Sequence, residues 1–231
     1  RAQSAWEDVL RIQPAAREAL EALSAIAADL GNYSALAGFL QRRIAIAETP
    51  ADATALALER ARLFEEDLKQ PGEAIAALEQ IINEMDPANV AAHTALRRVA
   101  ESAQDWPRVV AVAERHLALT TEPKERIARG LEIGWLCRER LGDTRKAALA
   151  FERVLEIDPE QADALADLAA IYTEAGDGER LIAVDEKLLA LAKEPEERRH
   201  LMFDMADAAE KLLKEPRRAF EWYRRAYHEQ V

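Results

Sequence analysis

Apolar residues along this chain come in short groups that Glu, Arg or Asp interrupts within two turns, so no run reaches the about 18 residues that a membrane-crossing helix needs. Near the start, Trp6, Val9 and Leu10 fall at helical spacing, the mark of a helix with one apolar face. The punctuation between such groups is periodic. Pro14, Pro50, Pro87, Pro123, Pro159 and Pro195 are spaced by 36, 37, 36, 36 and 36 residues, and one more period reaches Val231. Pro71, Pro107 and Pro216 lie about midway between periodic prolines, each ahead of an alanine- or valine-containing helical run.

Each periodic proline suits the first position of a helix, where its missing N–H costs nothing and its fixed φ is already helical. Asp158-Pro159-Glu160-Gln161, Asp86-Pro87-Ala88-Asn89 and Thr49-Pro50-Ala51-Asp52 then offer a capping side chain, proline and a polar first turn. Glu122 and Glu194 bring favourable charge to the same place, and Gln13-Pro14 is the least defined start. Midway, Gly31-Asn32, Gly142-Asp143 and Gly176-Asp177 place a helix-ending glycine and a capping residue; Lys69-Gln70-Pro71 and Lys214-Glu215-Pro216 fill that slot without glycine.

The predicted elements are therefore helix pairs over 15–30 with 33–47, 51–69 with 72–85, 88–103 with 106–119, 123–141 with 144–157, 160–175 with 178–193, and 196–213 with 217–229. Residues 2–12 form a lone second helix, so 1–14 reads as the remainder of a truncated unit. The full units run about 15–50, 51–87, 88–123, 124–159, 160–195 and 196–231. A longer period overlies the short one: Ala74, Ala147 and Ala219 lie 73 and 72 residues apart, each followed four residues later by Leu78, Phe151 or Tyr223. Units starting at Pro50, Pro123 and Pro195 have the longer first helix, those at Pro14, Pro87 and Pro159 the shorter, with Leu36, Val109 and Leu181 equivalent.

The segment from Leu141-Gly142-Asp143 through Ala147, Phe151 and Val154 to Asp158-Pro159, with Gly134 in the helix before it, resembles a tetratricopeptide repeat. Leu20, Leu23, Ser24, Ala27, Gly31, Tyr33, Leu36 and Leu40 follow the same plan, as do Leu165, Leu168, Ala169, Tyr172, Gly176 and Leu181. Departures are the 36-residue period, His93 where Trp or Leu is common, and Val154 in place of a small residue. The resemblance implies an all-α fold: a right-handed superhelical α-solenoid of stacked antiparallel helix pairs with about 13 helices, in one array over residues 1–231. It also implies that the first helix of each unit lines a concave groove that binds a peptide or a helix of another protein.

On that register the groove carries Arg62, Arg98, Trp135, Arg138 and Phe203, the candidate partner-binding residues. Acids flank them, including Glu18, Glu21, Glu65, Glu66, Asp207 and Glu210. The Lys and Asn clamp with which one subtype grips a terminal carboxylate is absent. Trp222 and Tyr223, on the last helix, are candidates for stacking at the end of the array. The start at Arg1 rather than Met, the half unit and the aromatic last helix suggest a piece of a longer array.

Composition narrows the function. With 31 basic and 43 acidic residues the net charge is −12, which argues against binding nucleic acid. Alanine, at 48 residues against eight glycines, favours helix. Cys137, the single cysteine, reads as a buried structural thiol. His93, His116, His200 and His228 fall in separate units without a second ligand at metal spacing, and no phosphate-cradling loop or triad is present. The expectation is a non-enzymatic scaffold in the cytoplasm, with a protein or peptide partner, no cofactor, no metal and no membrane insertion. The alternatives are self-assembly through the array ends, or an accessory repeat domain of a larger enzyme or regulator.

Overall fold

The computed structural model describes residues 2–229; Arg1, Gln230 and Val231, which the repeat register includes, lie outside the described residues. Among the described residues there are thirteen α-helices and no strand. The chain forms two compact units, one ending at Val112 and one starting at Ala113. The first contains α1 (Ala2–Ile12), α2 (Arg17–Asp29), α3 (Tyr33–Ala45), α4 (Pro50–Glu66), α5 (Pro71–Gln80) and α6 (Val90–Ser102). The division falls within α7 (Trp106–Leu119). The second contains α8 (Pro123–Glu139), α9 (Thr144–Ile157), α10 (Ala162–Ala175), α11 (Gly178–Leu191), α12 (Pro195–Asp207) and α13 (Pro216–His228). In each unit every helix packs on the next in sequence, the arrangement of an all-α helical repeat solenoid.

The prolines divide into two kinds, which corrects the expectation that all six periodic ones begin helices. Pro50, Pro123 and Pro195 are first helical residues, and the Thr49 hydroxyl accepts the Asp52 N–H at 3.1 Å as a cap. Pro14, Pro87 and Pro159 instead occupy the second position of a four-residue turn. The backbone N–H groups of Ala16, Asn89 and Gln161 donate to the carbonyls of Gln13, Asp86 and Asp158 at 3.1, 3.1 and 3.2 Å. Asp followed by Pro begins a type I turn as readily as a helix, because both need the same φ at proline. The helices after these turns start three residues later, and the Asn89 side chain, not that of Asp86, caps α6. The three residues spent on the turn account for the shorter first helix of alternate units.

Between the paired helices, Gly31, Gly142 and Gly176 adopt the left-handed conformation with φ of 64°, 65° and 69°, and Asn32, Asp143 and Asp177 cap the following helices. Lys69, Gln104 and Lys214 hold the same conformation at φ 52°, 56° and 60° in the units without glycine. A side chain there costs about 1–2 kcal/mol through its Cβ. Gln104→Gly is therefore expected to stabilise the chain by about 1 kcal/mol, after the entropy of an added glycine is deducted. Chemical denaturation of the two proteins checks it. The helices over 72–85 and 196–213 each end in a π-helical turn, at Ile81–Met85 and Ala208–Leu212.

The first unit buries Leu36, Leu40, Phe64, Leu78, Ile81 and Leu96 in one cluster, and Leu10, Leu20 and Leu23 with Trp6 against them in a smaller one. Val9 is exposed, so the apolar face of α1 is narrower than its spacing suggests. In the second unit Phe151 is fully buried against Gly134: a Cβ built on Gly134 would lie 2.5 Å from the ring. Gly130, one turn earlier, closes on Val154 at 2.5 Å by the same measure, which accounts for a large residue at 154. In the next long unit, 72 residues on, Met202 and Ala226 are both buried, so bulk has moved from the second helix to the first. Cores conserve volume more strictly than identity. His93 is buried, and its Nε2 lies 2.9 Å from the Pro87 carbonyl. A carbonyl only accepts, so Nε2 carries the proton, and the ring fastens α6 to the turn before it.

Candidate interaction surface

The first-of-pair helices α2, α4 and α6 in one unit and α8, α10 and α12 in the other carry the residues expected to meet a partner. Their arginines are bound within the chain. On α4, Arg62 is exposed and its Nε donates to Glu66 Oε2 at 2.9 Å, which holds the guanidinium pKa above its usual range. Arg98 of α6 reaches back to Glu65 of α4 at 2.6 Å. Arg138 of α8, the most buried of the three, reaches forward to α10, donating to Asp167 at 2.9 Å and Glu174 at 3.0 Å. Arg98 and Arg138 thus tie one first helix to the next. The exposed Arg62–Glu66 pair is screened by solvent, so it holds the guanidinium only lightly.

The aromatic candidates are open to solvent. Trp135 on α8 is 47% exposed, with the Arg140 guanidinium 5.3 Å from its ring centroid. Phe203 on α12 is 42% exposed, its ring 6.0 Å from that of Tyr223. The Tyr223 hydroxyl donates to Asp207 at 2.7 Å and Glu210 at 3.1 Å, which raises the phenol pKa. Lys211 and this hydroxyl together hold the Asp207 carboxyl below its usual range. Tyr223 is thus bound to its own neighbours. Trp222 is only 7% exposed, beneath the Arg225 guanidinium at 4.6 Å, and offers little surface for end stacking. The exposed aromatics of α13 are Phe220 and Tyr227, at 65% and 72%. Helical spacing located the aromatics but did not separate the face of α13 that looks inward from the one that looks out.

Two features escaped the sequence reading. Asp185 on α11 is buried at 3% exposure, and its Oδ2 has no hydrogen-bond partner among the described residues. The signal was present, since the repeat register puts Asp185 where Leu40 and Ala113 stand in the equivalent helices. The other is a cleft of about 860 Å³ bordered by α7, α8 and α9 within the second unit. Cys137 lines it as a buried thiol whose pKa burial raises, so the reactive thiolate is disfavoured. Among the described residues, no three His, Cys, Asp or Glu side chains are grouped to hold a metal, and no helix is long and apolar enough to cross a membrane.

Tetratricopeptide repeat family models match residues 92–127, 140–180 and 164–199. No curated protein matches the chain significantly. Among solved structures, the complex of Naa15 and Naa10 bound to HypK-THB is similar at TM-score 0.55 and 18% identity, over 98% of this chain and 36% of that one. YrrB, described as a tetratricopeptide repeat protein with an unusual peptide-binding site, aligns at TM-score 0.43 and 15% identity over 77% and 86%. A tetratricopeptide repeat protein from Parabacteroides merdae aligns at 0.41 and 14% over 92% and 79%. The glycine-ended helix pairs, the seating of Phe151 on Gly134 and the family models over residues 92–127 and 140–199 identify tetratricopeptide repeats in this chain.

Proposed function

We propose that the chain is a non-enzymatic protein–protein interaction scaffold that holds a peptide or a helix of a partner on its first-helix face. The observation that carries this is the exposure of Trp135 and Phe203 on first-of-pair helices of the second unit. Large aromatics anchor interfaces, because each buries a wide apolar area while ordering few torsions. Arg138 in the same unit, like Arg62 and Arg98 on first helices of the other unit, carries charge that already meets carboxylates inside the chain, and a partner's Asp or Glu is the same chemistry.

Capture of proteins from lysate of the source organism by the parent and by a Trp135→Ala, Phe203→Ala variant tests the reading. A partner held by the parent should bind the variant at least about 30-fold more weakly, the weight of one interface hot spot. Both side chains are exposed, so unchanged helicity is expected. Equal binding would remove the first-helix face from consideration.

Self-association through the last helix is the second reading. Phe220 and Tyr227 occupy the register of Ile75 with Ile82 and of Ala148 with Leu155, none of which is exposed. Between the latter two stands Glu152, which accepts the Tyr172 hydroxyl of α10 at 2.7 Å, so on α9 this face carries the next helix. Concentration-dependent mass that Phe220→Ala abolishes supports this reading; a constant monomer mass removes it.

A further inference from the structure

The second unit contains the same long helix pair twice, from Pro123 and, 72 residues later, from Pro195, and the two copies treat one cleft differently. In the later copy, where α11, α12 and α13 meet, the chain supplies its own contents. The Trp222 indole is buried beneath Arg225. Arg198 donates to the Glu229 carboxylate and, at 2.9 Å, to the Leu189 carbonyl. Arg218 pairs with Glu179 and Glu215 at 3.0 and 3.3 Å. Arg198, Arg218 and Arg225 thus each have an internal partner.

In the earlier copy those contents are missing while the cations remain. Ala150 stands at the place of Trp222 and Ile157 at that of Glu229. Arg126, Lys146 and Arg153 keep the places of Arg198, Arg218 and Arg225. All three line the cleft of about 860 Å³, are exposed, and make no side-chain ion pair or hydrogen bond among the described residues. Val154 closes over Gly130, while Ala150 lines the cleft with only a methyl group, 8% exposed, and Leu149 and Ile157 expose apolar surface beside it. Glu114 and Glu156 also line the cleft, so five charged groups leave an excess of one positive charge in a chain of net charge −12.

We propose that this cleft docks a segment of a partner protein that supplies what the later copy supplies to itself: an aromatic side chain over Ala150 and a carboxylate on Arg126. Filling the cleft removes Leu149 and Ile157 from water and gives Arg126 a charge-assisted hydrogen bond. An acidic segment with an aromatic anchor fits; a basic one meets three unpaired cations. The cleft takes Arg126, Gly130 and Ile133 from α8 but not Trp135 or Arg138, so this site and the surface of the exposed aromatics stand or fall independently.

The probe is the dipeptide N-acetyl-tryptophanyl-glutamate, titrated into isotope-labelled full chain and followed by amide chemical shifts. Shifts are expected to cluster at Arg126, Gly130, Ala150 and Ile157. N-acetyl-alanyl-glutamate, N-acetyl-tryptophanyl-glutamine amide and the Arg126→Glu variant should each bind at least about tenfold more weakly, the weight of one charge-assisted bond or one aromatic anchor. A second variant, Ala150→Trp with Ile157→Glu, installs the later copy's residues and should abolish the shifts at an undiminished thermal midpoint. Should that variant fail to fold, Arg126→Glu decides alone, since its side chain is exposed. Absent or scattered shifts, equal binding of the alanyl dipeptide, or undiminished binding to Arg126→Glu would overturn the proposal.

Discussion

Replacing Phe151 with alanine is expected to lower stability by about 3–5 kcal/mol, the range for deleting a fully buried aromatic ring. Phe151 is completely inaccessible, and its ring lies where a Gly134 side chain would stand. The reciprocal change, Gly134→Ala, is expected to cost about 1–3 kcal/mol, because α8 and α9 must separate or the ring must leave its rotamer. The two effects are coupled. In the Phe151→Ala background the methyl of Gly134→Ala enters vacated space, so the double variant should be more stable than the sum of the single losses predicts. Denaturant unfolding of the four proteins gives the coupling directly. Strict additivity would mean that Gly134 is small for a reason other than this ring.

The second large effect depends on pH. Burial pushes the Asp185 carboxyl up to about 7, with the like charge of Asp204 on α12 adding to it. Asp204 is itself raised by burial, while His200 beside it acts in the opposite direction. In the unfolded chain Asp185 returns to the ordinary aspartate value near 4. Between these values the folded state binds more protons than the unfolded one, so stability falls as pH rises from about 4 to about 7. Below that window the burial of neutral Asp185 carries no charge penalty; above it the penalty is complete, at most roughly 4 kcal/mol for a shift of this size. Asp185→Asn removes the titration without changing shape. Its stability relative to the parent should climb across the window and level off above pH 7. Parallel curves for the two proteins would place the Asp185 carboxylate in a solvated setting.

Much of this architecture was legible in the sequence, since it rests on local signals repeated at a fixed interval. Glycine and asparagine or aspartate in the middle of a unit announce a helix end and the next cap, and Gly31, Gly142 and Gly176 adopt the conformation those signals require. The 72- and 73-residue period announced alternating helix lengths, and 17 residues in α4 and α8 stand against 13 in α2 and α6. The interlock of Gly134 with Phe151 was legible through the family resemblance. The candidate surface was legible by residue and not by state: the register placed Arg62, Arg98 and Arg138 on first helices, but their pairing depends on carboxylates up to 36 residues away.

What the sequence determined by itself was the repeat, the helix pairs and their ends, because φ preference, capping and apolar spacing act within a few residues. Only the structure showed which of the six periodic prolines begin a turn instead of a helix, for the φ of proline suits both. Likewise, only packing placed Trp222 inside and left a cleft beside Ala150, which stands at the equivalent place. The physical reason is common to all: burial and pairing are properties of the surface a residue meets, and in a stacked repeat that surface belongs to the neighbouring unit.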